Sequence, residues 1–221
     1  MIRKFLAATV SVVVLSAGAA AFASPANAES FLAGEFPATV AGKSVNEFTI
    51  SNGVRSFSCA SSNFTGKLTS SSAELQLTPS YAECTAGEGL YVKITFEPFK
   101  LDVHFLRWTF IIPDFFIKLT GGWKVDFWLS EKLAKEEKPP LCSLEVPETG
   151  NAAIETVTGI SEGSGSARHM LMEVNSSNLL VKRTAGTEAN CGKEKQTAGT
   201  MSGKFDLTAS KEGKEVGLWF E

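Results

Sequence analysis

Gly159-Ile160-Ser161-Glu162-Gly163 matches G-x-S-x-G, the turn that lifts a nucleophilic serine between a strand and a helix. That chemistry needs a histidine base and an acid, and His169 lies a few residues downstream. Ser164, Gly165 and Ser166 follow the motif directly, however, and they break a helix rather than start one. The stretch reads as a flexible Gly/Ser turn. Glu97, Asp102, Asp114 and Asp126 lie among aromatic residues, where two carboxylates facing across a cleft would make a glycosidase. Taken singly they read as turn and surface acids. Trp108, Trp123 and Trp128 raise the question of a stacking platform for a sugar or a peptide. Trp108 and Trp123 read as core, because indoles carry large buried area. Trp128 shares a strand face with Lys124 and Asp126, since alternate residues share a face. Trp128, Lys124 and Asp126 are therefore the candidate binding surface.

Cys59, Cys84, Cys142 and Cys191 are too widely spaced for a zinc site, which uses close pairs such as C-x-x-C. An even count in an exported chain implies two bridges, and the residues alone leave three connectivities open. The chain has no Walker loop, dinucleotide fingerprint, EF-hand loop or H-E-x-x-H, so no cofactor and no metal is expected. Its 2 histidines argue against multi-histidine chemistry.

The elements that hold these residues are strands. The 221 residues are 43% hydrophobic and 20% charged, with 8 Pro and 19 Gly, which excludes disordered and collagen-like classes. Lys and Arg number 21 against 24 Asp and Glu, a formal charge of -3, so no nucleic-acid partner is expected. Arg3 and Lys4 precede an uncharged run from Phe5 to Ala28, which ends in Ala26-Asn27-Ala28. This is the layout of a secretory signal peptide over 1–28, cleaved after Ala28. Cleavage removes two bases and no acid, which takes the charge from -3 to -5.

Beyond residue 28 the dominant period is two. Ala73, Leu75 and Leu77 alternate with polar residues until Pro79, which is expected to stop the strand. Ser51-Asn52-Gly53 reads as a hairpin turn between Asn46–Ile50 and Val54–Cys59. Met170, Met172 and Val174 alternate up to an expected turn at Ser176-Ser177-Asn178. The expected fold is all-β, an antiparallel sandwich or barrel-like architecture with one or two β subdomains. At most one short helix is expected, near 130–137, with Ser130 as N-cap and Pro139-Pro140 after it. The organisation reads as an N-terminal β half over 29–130, a linker over 131–140 and a C-terminal β half over 141–221. The segment 96–129 holds ten aromatic residues and reads as two or three strands. Leu106, Trp108, Phe110 and Ile112 alternate in the opposite phase to Leu101, Val103 and Phe105, which predicts a bulge near Phe105. Arg107, Asp114, Lys118 and Lys124 interrupt the segment, so no transmembrane span is expected in the mature chain.

Phe36-Pro37-Ala38-Thr39-Val40, Phe57-Ser58-Cys59 and Leu75-Gln76-Leu77-Thr78-Pro79-Ser80-Tyr81-Ala82-Glu83-Cys84 resemble a group of uncharacterised secreted, disulfide-containing β-rich proteins of soil actinobacteria. Cys142-Ser143-Leu144-Glu145-Val146-Pro147, Ala189-Asn190-Cys191-Gly192 and Thr200-Met201-Ser202-Gly203 resemble their second half. The resemblance, with sequence proximity inside each half, implies the pairs Cys59–Cys84 and Cys142–Cys191. In a bacterial chain the sequons Asn63-Phe64-Thr65 and Asn175-Ser176-Ser177 are chance matches. The expectation is a secreted extracellular protein that is not an enzyme, with a binding or structural role toward carbohydrate or an envelope component. A secreted hydrolase of polysaccharide or ester is the first alternative. Membrane-surface association through the aromatic segment is the second, and it requires one exposed patch of Phe and Trp.

Overall fold

The computed structural model describes residues 29–96, 100–147 and 154–221; the expected signal peptide over 1–28 and Glu97 lie outside them. The alternating stretches become strands. In the first half these are β1 (Phe31–Ala33), β2 (Ala38–Ser44), β3 (Phe48–Ser51), β4 (Ser56–Leu68), β5 (Glu74–Ala86), β6 (Tyr91–Phe96), β7 (Lys100–Thr109), β8 (Ile112–Thr120) and β9 (Trp123–Trp128). In the second half they are β10 (Cys142–Val146), β11 (Ile154–Glu162), β12 (His169–Gly186), β13 (Lys195–Lys211), β14 (Lys214–Glu215) and β15 (Leu218–Phe220). Helix α1 (Glu131–Lys135) falls in the 131–140 segment. Among the described residues there is one further one-turn helix, α2 (Glu188–Cys191), capped by Thr187, whose hydroxyl accepts from the Asn190 amide.

Among the described residues, eight strands close on themselves through antiparallel ladders, in the order β2, β4, β5, β7, β8, β11, β12, β13 and back to β2. The four long strands β4, β5, β12 and β13 run on past this ring. There β3 bridges β13 and β4, while β10, β9 and β6 extend from β12 and bring β6 alongside β5. Strands from both sides of 131–140 alternate around the barrel, because β8 pairs with β11 and β2 with β13. Inward residues form one continuous apolar core, with Phe64, Leu75, Phe115, Met170, Met172 and Leu207 toward one end and Val125, Phe127, Leu144 and Val181 toward the other. Outward positions such as Lys43, Lys67 and Glu173 are exposed. This apolar-in, polar-out order is the reverse of a membrane-spanning barrel. No helix among the described residues is long and apolar enough to cross a membrane.

Space for the large core residues comes from small ones opposite. A Cβ on Gly42 would lie 2.3 Å from Leu207 Cδ2. β1 and β15 pair with each other and lay Phe31 and Phe220 against Phe115. Both expected disulfides are present. Cys59–Cys84 joins register partners on β4 and β5, and Cys142–Cys191 ties β10 to α2. In the Ser51-Asn52-Gly53 turn, Gly53 has φ 85° and the Asn52 side chain accepts from the Val54 and Arg55 amides. The expected bulge appears as a register shift between Phe105 and Arg107.

Three local expectations are corrected. Pro79 does not end its strand but sits within β5 opposite Phe64. It lies beyond the last β5 residue paired with β7, Leu77, so a missing N–H on that edge breaks no ladder. Ser176-Ser177-Asn178 is an irregularity inside β12, not a turn, because β13 pairs with β12 on both sides of it. Ser130 occupies the N-cap position of α1 without a side-chain capping bond. The two i,i+4 ion pairs Glu131–Lys135 (3.0 Å) and Lys132–Glu136 (3.8 Å) support that short helix instead.

Candidate functional site

Ser161 lies in β11 opposite Met170, and its Oγ accepts a hydrogen bond from the Phe220 amide at 3.2 Å. Gly159 lets Phe115 approach, since a Cβ there would be 2.6 Å from its ring. His169 pairs with Glu162 across the strands at 3.5 Å. After Glu162 the chain makes a Gly163–Ala167 turn into β12. Each residue of the G-x-S-x-G stretch is thus engaged in strand packing or in a hairpin, and no helix follows it. The acids are engaged locally as well. Asp102 accepts from Gln76 Nε2 (2.8 Å) and Thr120 Oγ1 (2.7 Å), and Asp114 meets Arg107 Nε at 3.3 Å. Asp126 accepts from Ser143 Oγ and pairs with Lys124 Nζ at 3.2 Å. Among the described residues no group of three or more His, Cys, Asp or Glu is placed to hold a metal ion. In β5, desolvation pushes the Tyr81 phenol above its ordinary pKa, and its ring packs on Phe48 and Phe64.

The tryptophans exchange their expected places. Trp123 is buried, edge-on to Phe57. Trp128, expected at least partly outward, is only 8% exposed. It does share the outer face of β9 with Lys124 and Asp126. After α1, however, the chain reverses at Glu137 (φ 54°) and sets the Lys138 carbonyl on the indole, which donates Nε1–H at 2.9 Å. Tyr91 of β6 flanks the ring. Trp128, Lys124 and Asp126 therefore form a covered cluster, with Lys124 alone half exposed. Trp108, expected in the core, is instead 39% exposed at the barrel rim, resting on Phe105 and Phe220. Its indole donates to Glu29 Oε1 at 2.8 Å.

The exposed apolar surface lies where Leu106, Trp108, Phe110 and Ile112 were expected to continue one strand. The chain reverses there: Thr109 pairs with Ile112, leaving Phe110 and Ile111 as a two-residue hairpin loop. Phe110 is 97% exposed and Ile111 88%. Phe110 has φ 57°, in the first loop position, where a type II′ turn normally holds Gly. For a residue with a Cβ this conformation costs about 1–2 kcal/mol. Leu106, Trp108 and Ile112 flank the loop, and Ile160 is exposed on β11. The sequence signal was present: a two-residue reversal with no Gly, Asn or Asp leaves no ordinary turn marker, so periodicity alone passed over it.

Two open depressions complete the surface. One of about 320 Å³ is lined by Glu35, Arg168, Glu215 and Trp219, with the Arg168 guanidinium 5.0 Å above the Trp219 ring. The other, of about 300 Å³, is polar and lined by Lys67, Ser70, Gln76 and Asp102.

Comparison with protein-family models, with curated proteins and with solved structures finds no match to this chain.

Proposed function

We propose that this is an exported protein of the cell exterior or envelope that works by contact rather than by turnover, and that the β7–β8 tip is its contact element. One observation carries the reading. Two large apolar side chains are held in solvent at a turn position whose backbone disfavours them. Such a choice adds nothing to the fold, so it supports a role in contact with something outside the chain. The leader-like segment 1–28, the two disulfides and the resemblance to secreted actinobacterial proteins support the location.

The test is fractionation of the producing cells with mass spectrometry of the protein. The expected outcome is a chain beginning at Glu29, found outside the cytoplasm. A chain retaining Met1 in the cytosol would sink the location. Hydrolysis of a polysaccharide or ester panel that is lost on Ser161→Ala would overturn the non-catalytic reading.

A further inference from the structure

We infer that the β7–β8 tip is a lipid wedge: Phe110 and Ile111 enter the headgroup and upper acyl region of an electrically neutral bilayer. This rests on the reading of the tip as the contact element and adds the chemistry of its partner.

The shape of the tip favours a lipid surface. Arg107–Thr109 and Ile112–Pro113 pair only with each other among the described ladders, so the loop stands clear of the barrel wall. A convex apolar point needs a medium that deforms around it, and a bilayer is one. Trp108 sits two residues below Phe110, about 7 Å along the strand. That offset matches the roughly 5–10 Å depth of an interfacial insertion and places the indole at headgroup level. Trp108 also joins the tip to the chain's approach: its indole is bonded to Glu29, the first residue after the uncharged run Phe5–Ala28. A run of that length and character is itself directed to a bilayer, and it meets the barrel at the base of the tip. Both apolar elements therefore face the same surface.

Charge selects neutral lipid. The Arg107 guanidinium beside the loop is paired with Asp114, and the chain from Glu29 onward carries an excess of acid over base. Attraction to anionic headgroups is not supplied, so binding should depend on apolar insertion and be insensitive to salt.

The test is flotation of the purified exported protein with phosphatidylcholine vesicles. Wild type should float with them, equally at about 0.1 M and about 1 M salt. The decisive variant is Phe110→Gly with Ile111→Ser, which installs a favoured hairpin loop and so keeps or raises the melting temperature. Its vesicle partition should fall by at least about tenfold, since each buried apolar side chain contributes on that order. Wild type that stays at the bottom of the gradient, or a variant that floats equally, overturns the lipid inference. Binding to isolated envelopes separates the two levels. Retention that is protease-sensitive and lost in the variant would leave the tip as contact element with a protein partner, and equal retention of both forms would end both readings.

Discussion

β9 and the β7–β8 tip come from the same aromatic-rich stretch and meet opposite fates. In β9, Trp123, Val125 and Phe127 fill the barrel, and the outer-face Trp128 is covered as well. At the tip, Phe110 and Ile111 bury against nothing. Composition does not separate the two. What separates them is a neighbour: β10, β6 and the Lys138 segment close over β9, while the tip extends past β5 and β11, the strands flanking its hairpin. Aromatic density is a statement about surface available for burial, and tertiary partners decide whether it is used.

That contrast can be broken by mutation. Trp128→Ala should cost about 3–5 kcal/mol in denaturant unfolding, the usual loss for an enclosed indole. An effect under about 1 kcal/mol, the level of an ordinary surface change, would mean that the cover over β9 is loose. Removing the Cys142–Cys191 bridge by a double Ser substitution should cost about 4 kcal/mol in the chain-entropy view. Because β10 flanks β9, the same change should make the β9 amides exchange faster than those of β8. Uniform acceleration across both strands would count against a local role for that bridge. Phe110→Gly alone should raise stability by about 1 kcal/mol, because the residue already has a positive φ and loses no contact. A destabilised Phe110→Gly would show that the ring packs after all.

The smallest effect concerns pH. Tyr81 has a raised pKa from desolvation, so above the ordinary tyrosine value of about 10 the unfolded chain loses a proton that the folded chain keeps. Stability should therefore fall as pH rises from that point, and Tyr81→Phe should flatten the fall in thermal melts. A wild-type profile parallel to that of Tyr81→Phe would contradict the burial of the phenol.

Much of the fold was legible in short windows. The period of two in Met170, Met172 and Val174, the Asn52-Gly53 reversal and the phase change at Phe105 are all local, and each appears in the barrel. Pro79 and Ser176–Asn178 misled because a turn marker acts only where pairing is absent; β4 and β13 hold those stretches in ladders. The candidate surface misled for a related reason. Alternation correctly grouped Trp128 with Lys124 and Asp126, but it carries no information on what lies above that face.

By itself the sequence determined which residues share a face, where the chain bends and that four cysteines form two bridges. The physical reason is that side-chain alternation and backbone preferences act over a few residues. Closing β13 onto β2, covering Trp128 with the Lys138 carbonyl and joining Trp108 to Glu29 were decided only in the tertiary structure. Those contacts join positions from ten to more than 150 residues apart, and nothing in the local pattern specifies their partners.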